Sequence, residues 1–308
     1  MERPQTLPMQ LSKAKFNWRL PYKTQLRFFL LPYLVGTLIL VVIPAVATSL
    51  IAFTEYKAIG VPRFVGLQNF RDLLSFGLVR MSLRNSAIFL LLAVPLRLLG
   101  ALLLALLLQR KGRMFGSYRT AVYVPTIIPE AAYALLWLWI FNPVYGPLNL
   151  VLGGLGLPTP AWLTEPGTAR LAMVILSLFQ MGEGFVVLLA GLANIPRSFY
   201  ESARVDGANS WQCFWQITLP LLTPWLMLLT FRDLVISLQN TFAPSFIMTY
   251  GGPYYATTFA PLLIYELAFD YFELGLAAAL LLLTYALLGL IVLGIVNILG
   301  LGGSTDEA

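Results

Sequence analysis

Long apolar runs separated by short polar stretches dominate this chain. A helix needs about 20 apolar residues to cross a bilayer. Six runs meet that length, at about 28–53, 86–109, 121–141, 169–192, 221–243 and 274–300. They are continuously apolar rather than alternating, which predicts helices and not a barrel. The expected architecture is therefore all-α, a polytopic six-helix transmembrane bundle. Pro32 and Pro44 predict a bent first helix. Residues 1–27 and 301–308 read as polar tails, and 54–85 and 142–167 as loops on a common side. Trp137, Trp139 and Trp162 are expected in the aromatic belts where membrane meets water.

Composition supports this reading. The chain is 58% hydrophobic and 11% charged, whereas soluble domains are about a quarter charged. Lys and Arg concentrate on cytoplasmic loops. With the N-terminus inside, the inner segments carry Arg3, Lys13, Lys15, Arg19, Lys23, Arg27, Arg110, Lys111, Arg113, Arg119, Arg197 and Arg204. The outer segments carry Lys57, Arg63, Arg71, Arg80 and Arg84. This asymmetry predicts both termini inside. The net charge of +6 then reflects topology and not a nucleic-acid footprint. The first apolar run is long enough to span, so no cleavable signal peptide is expected. Cys213 is alone and histidine is absent, which removes a disulfide framework, the commonest general base and the commonest metal ligand. No catalytic residue and no metal site are predicted. The sequence holds no GxxxxGK[ST] phosphate loop.

One polar stretch differs from the other loops. Residues 196–220, PRSFYESARVDGANSWQCFWQITLP, read as two short helices around a glycine turn. Ser198 and Glu201 have capping-box spacing, predicting a helix start near Phe199. Asp206-Gly207 supplies a stop, Asn209 or Ser210 a second cap, and Pro220 a second end. An ordered, partly apolar helical pair between spans points to a soluble partner docking there. The bland alternative is an amphipathic loop lying on lipid.

This stretch resembles the EAA loop of ATP-binding-cassette (ABC) importer permeases, a Glu-Ala-Ala followed by Gly and later Ile-x-Leu-Pro. Glu201-Ser202-Ala203, Asp206-Gly207-Ala208 and Ile217-Thr218-Leu219-Pro220 carry the likeness, with Ser in place of the first Ala. Phe64-Val65-Gly66-Leu67-Gln68-Asn69-Phe70 and Thr249-Tyr250-Gly251-Gly252-Pro253 resemble further elements of the carbohydrate-importing members. Together the elements span about residues 28–295. The resemblance implies the six-span type I importer permease (MetI-like) fold. It also implies coupling to ATPases through Glu201, Ser202, Ala203, Asp206, Gly207, Ala208, Phe214, Ile217, Leu219 and Pro220. The partners it implies are a second homologous permease, two ABC ATPases that bind ATP and Mg, an extracytoplasmic solute-binding protein, a carbohydrate and membrane lipid. A bacterial-type inner membrane is the implied location.

Polar residues at membrane depth are costly and usually functional. Gln180 and Glu183 are spaced to share a helix face, and Gly182 and Gly184 permit a close approach to the backbone. The resemblance implies that Gln180, Glu183, Gln239 and Asn240 line the solute pathway. Arg97, Arg232 and Asp233 are expected in ion pairs or against a partner permease. The competing reading has Glu183 and these three charges simply locking helices together.

The expected function is that of the membrane permease subunit of an ATP-driven carbohydrate importer, not an enzyme. Three alternatives remain at this point: a glycerol-3-phosphate or polyol-phosphate permease, a membrane-embedded enzyme, and a scaffold. Arg97 or Arg232 facing the pathway favours the phosphorylated solute, because an anion wants a fixed cation.

Overall fold

In the computed structural model, residues 21–110 and 112–298 are described. Contacts divide the chain into two units, 1–48 and 49–308. The described part of the first unit is an apolar helix, α1, running Tyr22–Thr37 and then through a π-turn at Leu38–Val42. Its last stretch, Ile43–Ile51, reaches into the second unit. Helix starts at Tyr22, so residues 22–27 belong to α1 and not to a tail. The remaining tail residues lie outside the described part.

Among the described residues of the second unit, the regular structure is helical apart from a two-residue hairpin, in which Thr54 pairs with Phe64 and Glu55 with Arg63. Its helices are α2 (Gln68–Ser75), α3 (Gly77–Leu108), α4 (Arg113–Tyr123), α5 (Glu130–Ile140), α6 (Pro147–Gly154), α7 (Pro166–Leu178), α8 (Gly182–Ala193) and α9 (Arg197–Val205). Then come α10 (Ser210–Thr249), α11 (Ala260–Tyr265) and α12 (Leu274–Ile298). Among the described residues, four helices are long and apolar enough to cross a membrane, and up to six spans result if each of two bent pairs counts as one.

The bends have local causes. The expected span 121–141 breaks by 104° between α4 and α5. Pro125 lies in a 3-10 turn at Val124–Ile127, and Pro129 caps α5. Each proline removes an amide donor and disfavours helix in the residue before it. The span 169–192 bends by 43° between α7 and α8. Gln180 sits in that break while Glu183 is in the first turn of α8, so the two do not share a helix face as expected. The second span starts nine residues early, at Gly77. Arg80 and Arg84 are thus helical, on turns whose long side chains can reach water.

Lipid offers no hydrophobic drive between helices, so small residues that let backbones approach hold the bundle. Ala93, Ala101 and Ala105 on α3 are fully buried. A Cβ on Gly184 would sit 3.6 Å from Ala101, and one on Gly182 would be 2.9 Å from the Tyr123 Cα. These glycines admit the close approach of α3, α4 and Leu229 of α10. Aromatic rings fill a second core. Tyr133, Trp137 and Phe141 line up with Trp162 at centroid spacings of 6.1, 5.0 and 5.5 Å. Trp137 and Trp162 are buried and only Trp139 is exposed. Two of the three tryptophans therefore build the core instead of a belt. Trp162 Nε1 donates to Asn149 Oδ1 at 2.8 Å, which satisfies its polar edge inside.

Candidate functional site

The loop between α8 and α10 is ordered by backbone chemistry. α9 starts at Arg197 behind Pro196, with no side-chain cap. Ser198 is consequently inside the first turn, where its hydroxyl cannot serve as N-cap, and the Ser198–Glu201 capping box does not form. At the other end Gly207 takes φ +85. Ala208 N–H donates to the Ala203 carbonyl at 2.8 Å and Gly207 N–H to the Arg204 carbonyl at 3.1 Å. These bonds form a Schellman stop, which requires a residue free to enter the left-handed region. A capping box then forms at Asn209. Gln212 N–H donates to Asn209 Oδ1 at 2.9 Å, and Asn209 N–H to Gln212 Oε1 at 2.8 Å.

Pro220 does not end the second helix. A π-turn at Phe214–Thr218 widens the backbone ahead of Pro220, which relieves the clash between its ring and a preceding carbonyl. Ser210–Thr249 is thus one helix of 40 residues.

The loop has two faces. Tyr200, Phe214, Ile217 and Leu219 pack against a core of Phe185, Leu188, Leu192, Leu222 and Leu229, and the Tyr200 and Thr218 hydroxyls bond at 2.9 Å. Phe199, Val205, Trp211 and Trp215 are exposed, Val205 at 89%. Glu201, Ser202, Asp206, Gly207 and Pro220 are exposed as well, while Ala203 and Ala208 are half-buried. Of the residues that the resemblance assigns to coupling, Phe214, Ile217 and Leu219 are half-buried and bind the loop to its own bundle. The sequence reading missed Phe199, Val205 and Trp211. Periodicity within α9 was the available signal, since Phe199 lies on the face away from Arg197, Tyr200 and Arg204.

A polar cluster lies at the centre of the bundle. Arg97 on α3 is 4% exposed. Its Nη1 donates to Ser237 Oγ at 2.8 Å and its Nη2 to the Gln180 carbonyl at 3.3 Å. Its Nη2 also lies 3.6 Å from Asp233 Oδ2. Arg232 Nη1 is 3.2 Å from Asp233 Oδ1, and Arg232 also pairs with Glu183. Two cations and two carboxylates thus cancel across α3, α8 and α10. The structure brings Glu183 into this ion cluster rather than leaving it free in the pathway.

Gln180 and Asn240 line a cavity beside Arg97 and Ser237 of about 10 Å³, room for about one water. Arg97 Nε has no protein partner. Asn240 Nδ2 donates to Glu130 Oε1 at 3.0 Å, a bond that links α10 to the start of α5. Gln239 is directed elsewhere, donating to the Tyr285 hydroxyl at 2.8 Å. Of the four expected pathway residues, Gln180 and Asn240 thus share this small cavity.

Buried amides also fasten the end of the bundle that carries the 54–75 segment. Asn69 Nδ2 donates to the Ala52 and Thr54 carbonyls at 2.8 and 2.9 Å. Asn85 Nδ2 donates to the Tyr255 and Thr258 carbonyls at 2.8 and 3.2 Å. The Thr258 hydroxyl donates to the Gly251 carbonyl at 3.2 Å, and a Cβ on Gly251 would collide with that hydroxyl. These bonds give the Phe64–Phe70 and Thr249–Pro253 elements a structural task.

Residues 98–301 match the pattern of the family described as binding-protein-dependent transport system inner membrane component. The chain is 37% identical over 273 residues to the probable ABC transporter permease protein YesP of Bacillus subtilis, covering 86% of this chain and 87% of that protein. It is 33% identical to the trehalose/maltose transport system permease protein MalF of Thermococcus litoralis, covering 84% and 88%. It is also similar, at 26% identity and a TM-score of 0.73, to a chain of a bacterial alginate ABC transporter solved with an alginate pentasaccharide-bound periplasmic protein. That match covers 88% of this chain and 92% of the other.

Proposed function

The chain belongs to the family of binding-protein-dependent transport system inner membrane components, whose members are multi-pass ABC permease subunits and not enzymes, and from that membership we propose that it forms half of an import pathway for a carbohydrate. In this reading a second permease completes the pathway. An extracytoplasmic binding protein delivers the solute, and two ATPase subunits, which bind the ATP and Mg, dock on the 196–220 loop. Both termini and that loop lie in the cytoplasm, on the strength of the Lys and Arg asymmetry.

The observation that carries this reading is the outward face of the loop. Phe199, Val205, Trp211 and Trp215 are exposed on a hairpin with backbone stops at both ends of its turn. Rigid exposed aromatics on a preorganised scaffold are the anchors of helix-in-groove contacts. ATP binding closes the ATPase pair, the hairpin moves with it, and the permeases rock about the solute. The small central cavity accords with this, because a pathway between two permeases needs no chamber in either one.

Carbohydrate is favoured over a polyol phosphate on two grounds. Transport-system relatives named for trehalose/maltose and for starch degradation products match over 84% and 82% of the chain. The fixed cations Arg97 and Arg232 are already engaged by Asp233 and Glu183, so neither is left to meet an anion. A relative named for sn-glycerol-3-phosphate transport also matches, over 70% of the chain.

The test is cross-linking. Val205→Cys in the purified transporter is expected to form a disulfide with a cysteine placed in the ATPase groove, and nucleotide should change its yield. Labelling of the introduced thiol by a lipid-soluble reagent, with no ATPase adduct, would overturn the docking assignment.

A further inference from the structure

A cavity of about 700 Å³ opens beneath the inner face of the 196–220 loop. Its wall mixes two chemistries. Leu106, Leu192 and Ile195 form an apolar floor, and Arg119, Arg197 and Arg204 supply a cationic rim.

The three guanidinium groups differ in their commitments. Arg119 is engaged: its Nε and Nη2 donate to the Leu108 carbonyl at 3.0 and 2.8 Å, and Nη2 to the Arg110 carbonyl at 3.0 Å. It caps the end of α3. Among the described residues, Arg197 and Arg204 have no side-chain hydrogen bond or ion pair. Glu201, one turn from Arg197 on α9, is not paired with it. Arg197 also lies in the first turn of α9, where the helix dipole disfavours a cation. Arg197, Tyr200 and Arg204 follow i, i+3, i+7 spacing, so they share one face, and all three line the cavity.

Two uncommitted guanidinium groups over an apolar trough match an amphiphile with an anionic head and a hydrocarbon tail. At the inner ends of membrane helices, anionic phospholipid has that chemistry, and basic pockets between spans bind such headgroups. The geometry points to this cavity as a site for an anionic phospholipid, its phosphate between Arg197 and Arg204 and an acyl chain along Leu106, Leu192 and Ile195. Tyr200 and Thr218, whose hydroxyls clasp the two halves of the loop at 2.9 Å, also line it. The lipid therefore braces the loop from behind while its outer face stays free. This assignment rests on the loop lying at the inner membrane surface, as proposed above.

The experiment uses the complete transporter in nanodiscs of phosphatidylcholine with increasing phosphatidylglycerol. Wild type is compared with Arg197→Gln/Arg204→Gln and with the charge-keeping Arg197→Lys/Arg204→Lys. Bound lipid is read by native mass spectrometry, and solute-stimulated ATP hydrolysis is read in parallel. Wild type should retain phosphatidylglycerol in preference to phosphatidylcholine. The Gln pair should weaken that retention roughly fivefold per charge, about thirtyfold in all, and the Lys pair should keep most of it. Equal retention in the Gln pair overturns the site. So does stimulation of phosphatidylcholine discs by inorganic phosphate alone, which assigns the anion to solution. Intact lipid retention with loss of ATPase subunits in the Gln pair assigns the arginines to an acidic partner and overturns it too. Retention requires no coupling. If ATP hydrolysis is unaffected by lipid while selective retention persists, the lipid site stands and the coupling role alone fails.

Discussion

The Tyr200 and Thr218 hydroxyls meet at 2.9 Å and join α9 to the π-turn that begins the long helix α10. The remaining attachment of α9 to the bundle is apolar packing, so this bond fixes the angle at which the loop stands. Tyr200→Phe keeps the ring and loses the bond, at a cost of about 1 kcal/mol. The transporter should assemble normally, with solute-stimulated ATP hydrolysis reduced severalfold. Unchanged stimulation would show that packing alone holds the loop.

Gly207 is the second control point. At φ +85 a side chain costs about 1–2 kcal/mol, so Gly207→Ala should weaken coupling measurably. Gly207→Pro fixes φ near −65 and removes the donor to the Arg204 carbonyl. It should abolish uptake while leaving the chain in the membrane, as judged by comparing solute uptake with the amount of chain in isolated membranes.

The central ion cluster predicts asymmetric losses. Asp233→Ala leaves Arg97, 4% exposed, without its countercharge. Breaking a buried pair this way costs about 3–5 kcal/mol. Arg97→Met combined with Asp233→Leu removes both charges and should recover most of that loss. Glu183→Gln touches a pair whose side chains are 46% and 32% exposed, and should cost no more than about 1 kcal/mol. Thermal unfolding of the detergent-purified transporter measures all three. Equal shifts for Asp233→Ala and Glu183→Gln would contradict the different burial of the two pairs.

Beside the Thr54–Phe64 hairpin, Lys57 Nζ lies 3.0 Å from Glu273 Oε1. The hydrogen bond to Glu273, with its charge, raises the Lys57 ammonium above its ordinary value of 10.5. A raised cation contributes stability below the unfolded value and loses it as pH rises through the folded one. The difference between wild type and Lys57→Gln in proteolytic protection of the 54–75 segment should therefore be constant from neutral pH to about 10 and vanish above the raised value. A difference that decays near neutral pH would contradict this origin.

The bundle was legible because continuous apolar runs leave few alternatives in lipid. The Gly207 stop was legible because only that residue could supply it. The α4–α5 bend was missed although Pro125 and Pro129 were in view, since hydropathy averages over a break that both arms share. The Ser198–Glu201 box failed because Pro196 starts the helix first. The packing of Phe214 against its own bundle was not legible in the sequence. The π-turn at Phe214–Thr218 changes the angular spacing, and side-chain direction follows spacing. The core charges were legible as a group, since ions at membrane depth need partners, but Arg97, Glu183 and Asp233 come from separate helices, and no local pattern encodes which of them will meet.

The helical run from Ser210 to Thr249 has a mechanical corollary. At 1.5 Å per residue it is a shaft about 60 Å long. One end begins beside the exposed hairpin and the other abuts the glycine turn at Gly251. A tilt imposed at the first end is carried along the α-helical stretch Leu219–Gln239 as far as the turn at Asn240–Thr241, the point at which it can be redirected toward the far end of the membrane.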